Sequence, residues 1–355
     1  MSHHQCAIVT GGVGFIGAAI SAQLADRYAQ VIAVDNFHPQ IHPTHQPALG
    51  FDSRVGILEK DVTDPATWDT LLDQVSPDLI VHLAAETGTG QSLTQSTRHT
   101  NVNVVGTSVM LDALHRHHAI PKKIVLASSR AVYGEGAWRH HEGAGGDVFY
   151  PGLRSRLMFE AGQWDFPDAE PLAMDAATTH RSPESVYAIT KCAQEDLLRV
   201  WADAFGSDVR ILRLQNVYGP GQTPDNPYTG IMSLFCSLAR QGQSIPLYED
   251  GQVRRDFVII DDVAAAIIAA VDAEAPLPHP IDIGSGRFTT LNEAANIMAK
   301  IYHAPAPHIT GQWRHGDVRH AWANPLPAKE LIGFEATVQP EEGFTALARW
   351  IDSLH

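Results

Sequence analysis

The chain has 355 residues, enough for one large or two modest domains around a sizeable core. Its 44% hydrophobic and 18% charged residues are an ordinary balance for a globular protein, and 40 acidic against 25 basic residues leave a formal charge of −15. Nucleic acid and anionic membrane surfaces are therefore disfavoured as partners, because both are polyanions, whereas a small anion in a locally basic pocket is compatible.

From the N-terminus, "CAIVTGGVGFIGAAISAQLADR" reads as an apolar strand, a glycine turn and an amphipathic helix, with no signal peptide expected. "QVIAVDNF" and "VGILEKDVTD" read as two further strands, followed by a helix over 64–75, the strand "DLIVHLAA", a helix over about 100–118, and the strand "KIVLASS". Strands alternating with helices in this way predict right-handed βαβ units and a parallel sheet covered on both faces. Residues 137–180 break the rhythm: they are rich in Gly, Pro and aromatics and read as an insertion over the surface. A helix resumes at 183–205, with Ser182 or Ser185 as candidate cap and Pro183 near its first turn. "VRILRLQNVYGPG" is another strand and turn, and the remainder, with Pro-rich joints at 276–280 and 304–307, reads as a smaller mixed lobe.

No apolar run reaches membrane-spanning length; "VAAAIIAAV" (263–271) is short. The odd set Cys6, Cys192 and Cys236, with no CxxC pair, fits free thiols in a reducing compartment, so a cytoplasmic location is expected.

The turn Thr10 to Gly17 follows a strand and opens a helix. Glycines there let the backbone approach a pyrophosphate, and the helix N-terminus favours its charge. Asp35 closes the next strand, where a carboxylate can accept the ribose hydroxyls of NAD and repel the 2′-phosphate of NADP; its other reading is a loop cap. Asp61 and Val62 could contact the adenine, and "HLAA" (82–85) could line the dinucleotide, though each is equally compatible with plain sheet-end structure. Tyr187 and Lys191 are four apart on a predicted helix and share a face. An ammonium beside a phenol favours the phenolate, which can take a proton from an alcohol as hydride leaves for a nicotinamide.

"TGGVGFIG", "VDN", "DVTD", "HLAA", "NVVGT", "SSRAVYG", "YAITK", "NVYGPG", "RRDFVIIDDV" and "GDVR" run through nearly the whole chain. In that order they resemble the extended short-chain dehydrogenases/reductases, in the branch of NAD-dependent nucleotide-sugar epimerases and dehydratases. The resemblance implies an α/β fold: a Rossmann-type doubly wound parallel sheet with a smaller mixed α/β substrate-binding lobe. It divides the chain into an NAD-binding domain, 1–215 with the return segment 256–275 and the insertion 137–180, and a lobe made of 216–255 and 276–355. It also implies NAD as cofactor, held by Gly11, Gly14, Phe15, Ile16, Gly17, Asp35, Asn36, Asp61, Val62, Leu83, Ala84, Ala85, Asn103, Tyr187 and Lys191. Ser129 matches the Ser/Thr that bonds the reacting sugar oxygen beside Tyr187 and Lys191, and Ser128 becomes its support. Thr87, Thr89 and Asn216 would face the sugar diphosphate's side of the site, and Arg255 and Arg319 match arginines that pair with the diphosphate, as guanidinium forks suit phosphate. The implied partners are a nucleoside-diphosphate sugar and a second copy of the chain, docked through the helices at 183–205 and 100–118.

Dehydrating relatives place an acid and a base directly after the catalytic Ser/Thr. Here those places hold Arg130 and Ala131, neither of which exchanges a proton, so epimerase is the expected activity. "HLAAETGTGQS", "SSRAVYGEG", the long insertion, "GPGQTPDNPYTGI" and "YEDGQVRRDFV" resemble a narrower group, the dTDP-L-rhamnose 4-epimerase-like proteins. Relatives there often carry cysteine pairs in the insertion. This chain has only His140, His141, Glu142 and His180 in that stretch, so no metal is expected. Two neighbouring activities stay open: a 4-epimerase for UDP-galactose or UDP-N-acetylhexosamine, and an NAD(P)H-dependent 4-ketosugar reductase. A non-enzymatic cofactor sensor is disfavoured, because the serine, tyrosine and lysine are all present.

Overall fold

The structure, a computed structural model, describes residues 4–141, 146–223, 230–314 and 316–354. Its centre is a parallel sheet of seven strands: β1 (His4–Thr10), β2 (Tyr28–Asp35), β3 (Gly56–Glu59), β4 (Leu79–His82), β5 (Lys123–Ser129), β6 (Asp208–Leu214) and β7 (Ile281–Ile283). They lie side by side in the order β7-β6-β5-β4-β1-β2-β3. All of β4 and most of β5 are buried, as expected of strands covered on both faces. The chain winds outward in both directions from β1, and Thr10 stands between Val34 of β2 and His82 of β4. Connections therefore diverge at the end of β1 and leave a crevice at the carboxyl edge of the sheet.

Helices α1 (Phe15–Ala25), α2 (Pro65–Leu72), α3 (Gly106–Arg116), α4 (Val186–Phe205) and α5 (Ile260–Asp272) cover the two faces. Asp64 caps α2 by accepting from the Ala66 amide, with Pro65 in its first turn. The helix expected over 100–118 is the end of a longer run: Thr89–Thr94, Ser96–Thr100, a π turn at Asn101–Val105, then α3. Of the two candidate caps for α4 it is Ser185 that accepts from the Ala188 amide at 3.1 Å, and Pro183 lies two residues ahead of it, outside the first turn.

Two expectations are refined. The described residues of 137–180 lie largely at the surface, as an insertion should, but they carry strands and buried anchors of their own. Trp138–His140 pairs antiparallel with Val148–Phe149 on one side and Ala169–Pro171 on the other. Trp138 and Arg154 are fully buried, and Phe159 and Met174 nearly so. Arg154 donates to Glu135 at 3.0 Å and to both oxygens of Glu249 at 2.9 Å, so the insertion is bolted to the lobe by buried charge pairs that local periodicity cannot reveal. The lobe itself does not run unbroken from 276 to 355. Ile281–Ile283 pairs with β6 as the outermost strand of the main sheet, and Leu326–Ile332 packs against it. The lobe has its own core of Met232, Phe235, Leu247, Phe257, Met298, Phe344 and Leu347, built largely from helices Ile231–Arg240, Leu291–Ile301 and Pro340–Ser353.

Candidate active site

The carboxyl edge of the sheet and the lobe enclose a cleft of about 490 Å³. Most of the residues expected at the site line it together: Gly11, Gly14, Phe15, Ile16, Gly17, Asp35, Asn36, Asp61, Val62, Leu83, Ala84, Ala85, Thr87, Thr89, Ser129, Tyr187, Lys191 and Asn216. The glycine turn has steric reasons for its composition. Gly11 sits at φ +65°, and a Cβ on Gly17 would lie 2.3 Å from the Gly12 carbonyl oxygen. A Cβ on Gly14 would meet nothing closer than the Gly11 carbonyl at 3.3 Å, so its absence keeps the floor of the cleft open. The Asp35 carboxylate accepts from the amides of Val13 and Phe37, which fixes it at the end of β2. Burial pushes its carboxyl above the usual range, while the Phe37 and Val13 amides and His42 pull it back. Asp61 is pushed up by burial, but bonds from Thr63 and Asn36 prevail and hold it below the ordinary carboxylate range.

Ser129 ends β5 and Tyr187 lies in the first turn of α4. Burial raises the Tyr187 phenol above the ordinary tyrosine range, and the Ser129 hydroxyl and the Arg130 guanidinium pull it back. Lys191, one turn further on, donates to the Ala127 carbonyl at 2.9 Å. Burial pushes its ammonium down to about 8, with Glu195 acting in the opposite direction. Ser128 turns away, donating to Glu195, which is itself bridged by Arg213 at 2.7 Å. Beneath the floor, His82 joins Thr10 at 2.7 Å and Thr107 at 3.0 Å, and Gln194 donates to Thr107 at 2.9 Å. Burial, aided by the Lys191 charge, pushes the His82 imidazole down to about 3, so it is neutral and ties β1, β4, α3 and α4 together as a hydrogen-bonding spacer.

Three expected contacts fall elsewhere. Asn103 is fully buried beside the cleft, where its amide joins the Glu86 backbone and Thr190 and anchors the loop after β4. Arg319 is fully buried and saturated by Asp165, Asp250 and Glu249, which leaves no guanidinium face for a diphosphate. Arg255 is outside the main cleft but lines a side cavity of about 50 Å³ with Thr89, Arg130, Glu184 and Asp317. It donates to the carbonyls of Arg254, Val318 and Arg319, and no carboxylate bridges it among the described residues. Burial and the neighbouring Arg130 charge both disfavour its cation, a tension that a bound anion would relieve.

His38, Gln40, His42, Glu86, Arg98 and Gln222 also line the cleft and come from loops where no periodicity marks them. Arg98 pairs with Glu86 at 2.7 Å and closes one wall. Of the histidines weighed as metal ligands, His140 stacks on Phe149 and His180 on Tyr150, while Glu142 lies outside the described residues. Among the described residues no group of three or more His, Cys, Asp or Glu is placed to hold a metal ion.

A glycine-turn cradle and a half-buried phenol opening on one sheet edge define an enzyme that works with a nicotinamide. A model of the NAD dependent epimerase/dehydratase family matches residues 7–284, and the chain belongs to that family. It is similar to the dTDP-L-rhamnose 4-epimerase of Burkholderia thailandensis, 49% identical over 344 residues that cover 97% of this chain and 94% of the relative. UDP-glucuronate 4-epimerase 3 of Arabidopsis thaliana is 26% identical over 97% of this chain and 75% of its own length. Among solved structures, UDP-glucose 4-epimerase from Thermotoga maritima, with UDP-glucose, aligns with a TM-score of 0.80 at 25% identity over 99% of both chains. The chain is thus an NAD-dependent isomerase of the epimerase type. Its residues fit NAD: the open floor at Gly14, and a strand-end carboxylate at Asp35 that would meet a 2′-phosphate with like charge.

Proposed function

We propose that this protein is a 4-epimerase of a nucleoside-diphosphate sugar, with dTDP-L-rhamnose as its substrate. The observation that carries the reading is the convergence of Ser129, Tyr187 and Lys191 in the same cleft as the glycine turn and Asp35. NAD held in this cleft would supply the hydride acceptor and donor that the residues below serve. Tyr187, as phenolate, takes the proton of the sugar 4-hydroxyl while hydride leaves C4, and Ser129 hydrogen-bonds the same oxygen. Arg255, anchored by three backbone carbonyls and free of carboxylates among the described residues, holds the diphosphate while the 4-keto sugar presents its other face. Tyr187 then returns its proton to the oxygen as hydride comes back to C4, so neither cofactor nor sugar is changed in oxidation state. Arg130 and Ala131 stand where elimination would need an acid and a base.

The choice of sugar nucleotide follows the relative that is 49% identical over nearly the whole chain. The protein acts as a homodimer in the cytoplasm. Supporting this, its three cysteines are free and the helices Thr89–Val105 and α4, which pack together, leave Leu93, Val105, Ile189 and Val200 exposed. No helix among the described residues is long and apolar enough to cross a membrane. Incubating the purified protein with a panel of dTDP-, UDP-, GDP- and CDP-sugars, read by chromatography, tests the reading. The expected result is conversion of dTDP-L-rhamnose to its C4 epimer with no cofactor added. Turnover that consumes added NAD(P)H stoichiometrically would make the protein a ketosugar reductase instead.

A further inference from the structure

Arg130 opens the 3-10 turn Arg130–Tyr133 that follows β5, and the Ser129 hydroxyl caps that turn by accepting from the Ala131 amide at 3.1 Å. The turn carries Arg130 into the wall of the cleft beside Ser129 and Tyr187, and into the side cavity shared with Arg255. Its Nε donates to the Asn216 carboxamide at 2.9 Å, and among the described residues no other hydrogen bond and no ion pair engages it. A half-buried guanidinium with one neutral partner has donors left to meet a negative charge that develops next to it. The charged groups around it are few. Asp317, the Tyr187 phenol of α4 and Glu135 favour its cation against burial, and Arg255 stands on the other side. Glu184, in the same side cavity, has both carboxyl oxygens buried without a hydrogen-bond partner. Lys191, the other cation near the phenol, is turned to the Ala127 carbonyl.

We propose that Arg130 is a positioning residue for the reaction: fixed by Asn216 beside the Tyr187 phenol, its guanidinium stabilises the phenolate that takes the substrate's hydroxyl proton. The inference rests on Tyr187 being the base. Arginine suits the task because it stays protonated at any working pH, so its charge persists through both hydride transfers while only Tyr187 exchanges a proton. The same permanence makes the position useless as a dehydratase acid. Asn216, expected to face substrate, thereby gains a second task as the tether. Arg130 and Lys191 divide the support of the tyrosine, with the arginine facing the cleft beside the phenol and the buried lysine braced on the strand.

The test is a titration of the holoenzyme by phenolate absorbance, with the Tyr187→Phe protein as the blank that removes the other tyrosines. Arg130→Gln should move the Tyr187 titration upward by about one pH unit or more, the size of effect that one nearby opposite charge exerts. The acidic limb of the kcat profile should move with it, and KM for the sugar nucleotide should stay within about twofold of wild type. Arg130→Lys, which keeps the charge without the fork, should fall between the two. If Arg130→Gln does not fold, Arg130→Lys and Asn216→Ala carry the same readout, each with a smaller upward shift. A phenol titration that does not move in the folded variants overturns the proposal, as does a rise in KM with the titration unchanged, which would make Arg130 an anchor for substrate. The titration needs no sugar nucleotide, so it stands or falls separately from the substrate reading.

Discussion

Successive residues of a strand point to opposite sides, and Ser128 and Ser129 divide their tasks accordingly: one is held by Glu195 below, the other ends the strand at the cleft. The serine pair itself was legible in the motif as a polar end to an apolar strand. The fate of Arg319 was not, because the three carboxylates that saturate it come from positions up to 154 residues away in the chain. Glu184 was equally silent in the sequence. It lies three residues before Tyr187, and burial together with the Glu135 charge pushes its carboxyl up to about 7, against the pull of Arg154. In the unfolded chain a glutamate ionises near about 4.3, so between that pH and about 7 the folded protein binds more protons than the unfolded one. Stability contributed by this group is therefore present at low pH and is lost as pH rises through that window. Glu184→Gln removes the penalty. Its melting temperature at pH 8 is expected to exceed wild type by a few degrees, with the difference closing toward about pH 4.5, where both side chains are neutral or nearly so. An equal or lower melting temperature at pH 8, measured by calorimetry, would show that the carboxylate is accommodated.

Among the elements, the alternating strands and helices of the first half were readable because runs such as β4 and β5 are buried on both faces and helices such as α3 carry an apolar stripe. Short elements escaped. Ile281–Ile283 is only three residues long and sits between proline and glycine, so it reads as a joint although it closes the sheet. The insertion escaped for another reason: its strands are two or three residues long, and its core contacts, Trp138 on Phe166 and His320 among them, are tertiary. Helix α4 carries two loads. Its inner face holds Tyr187, Lys191, Gln194 and Glu195 under the cleft, while Ile189 (55% exposed) and Val200 (58% exposed) are eleven residues apart, three turns along one outer stripe. In the proposed homodimer, these exposed branched side chains would be the surface that the second copy covers. Ile189→Glu with Val200→Glu should convert the dimer into a monomer in sedimentation analysis. An unchanged sedimentation coefficient would place the dimer contact elsewhere.

On the scale of the whole molecule, two cores meet at one cleft. The sheet and its helices present the dinucleotide cradle and the phenol, and the lobe closes over them with Tyr218, Gln222 and Phe257. Arg154 and Arg319 share Glu249 and so join the insertion, the lobe and the turn after β5 in one buried ionic cluster, which fixes the geometry of that closure. The chain's charge of −15 is no obstacle to an anionic substrate, since Arg130 and Arg255 concentrate positive charge at the side cavity where no carboxylate bridges either among the described residues. Inversion at C4 requires hydride to leave and that same hydride to return to the opposite face. Running the reaction on dTDP-L-rhamnose in deuterium oxide tests it most directly. The expected product is a C4 epimer whose carbon-bound hydrogens are all retained, formed without added cofactor; deuterium at C4 or at a neighbouring ring carbon would rule out this route.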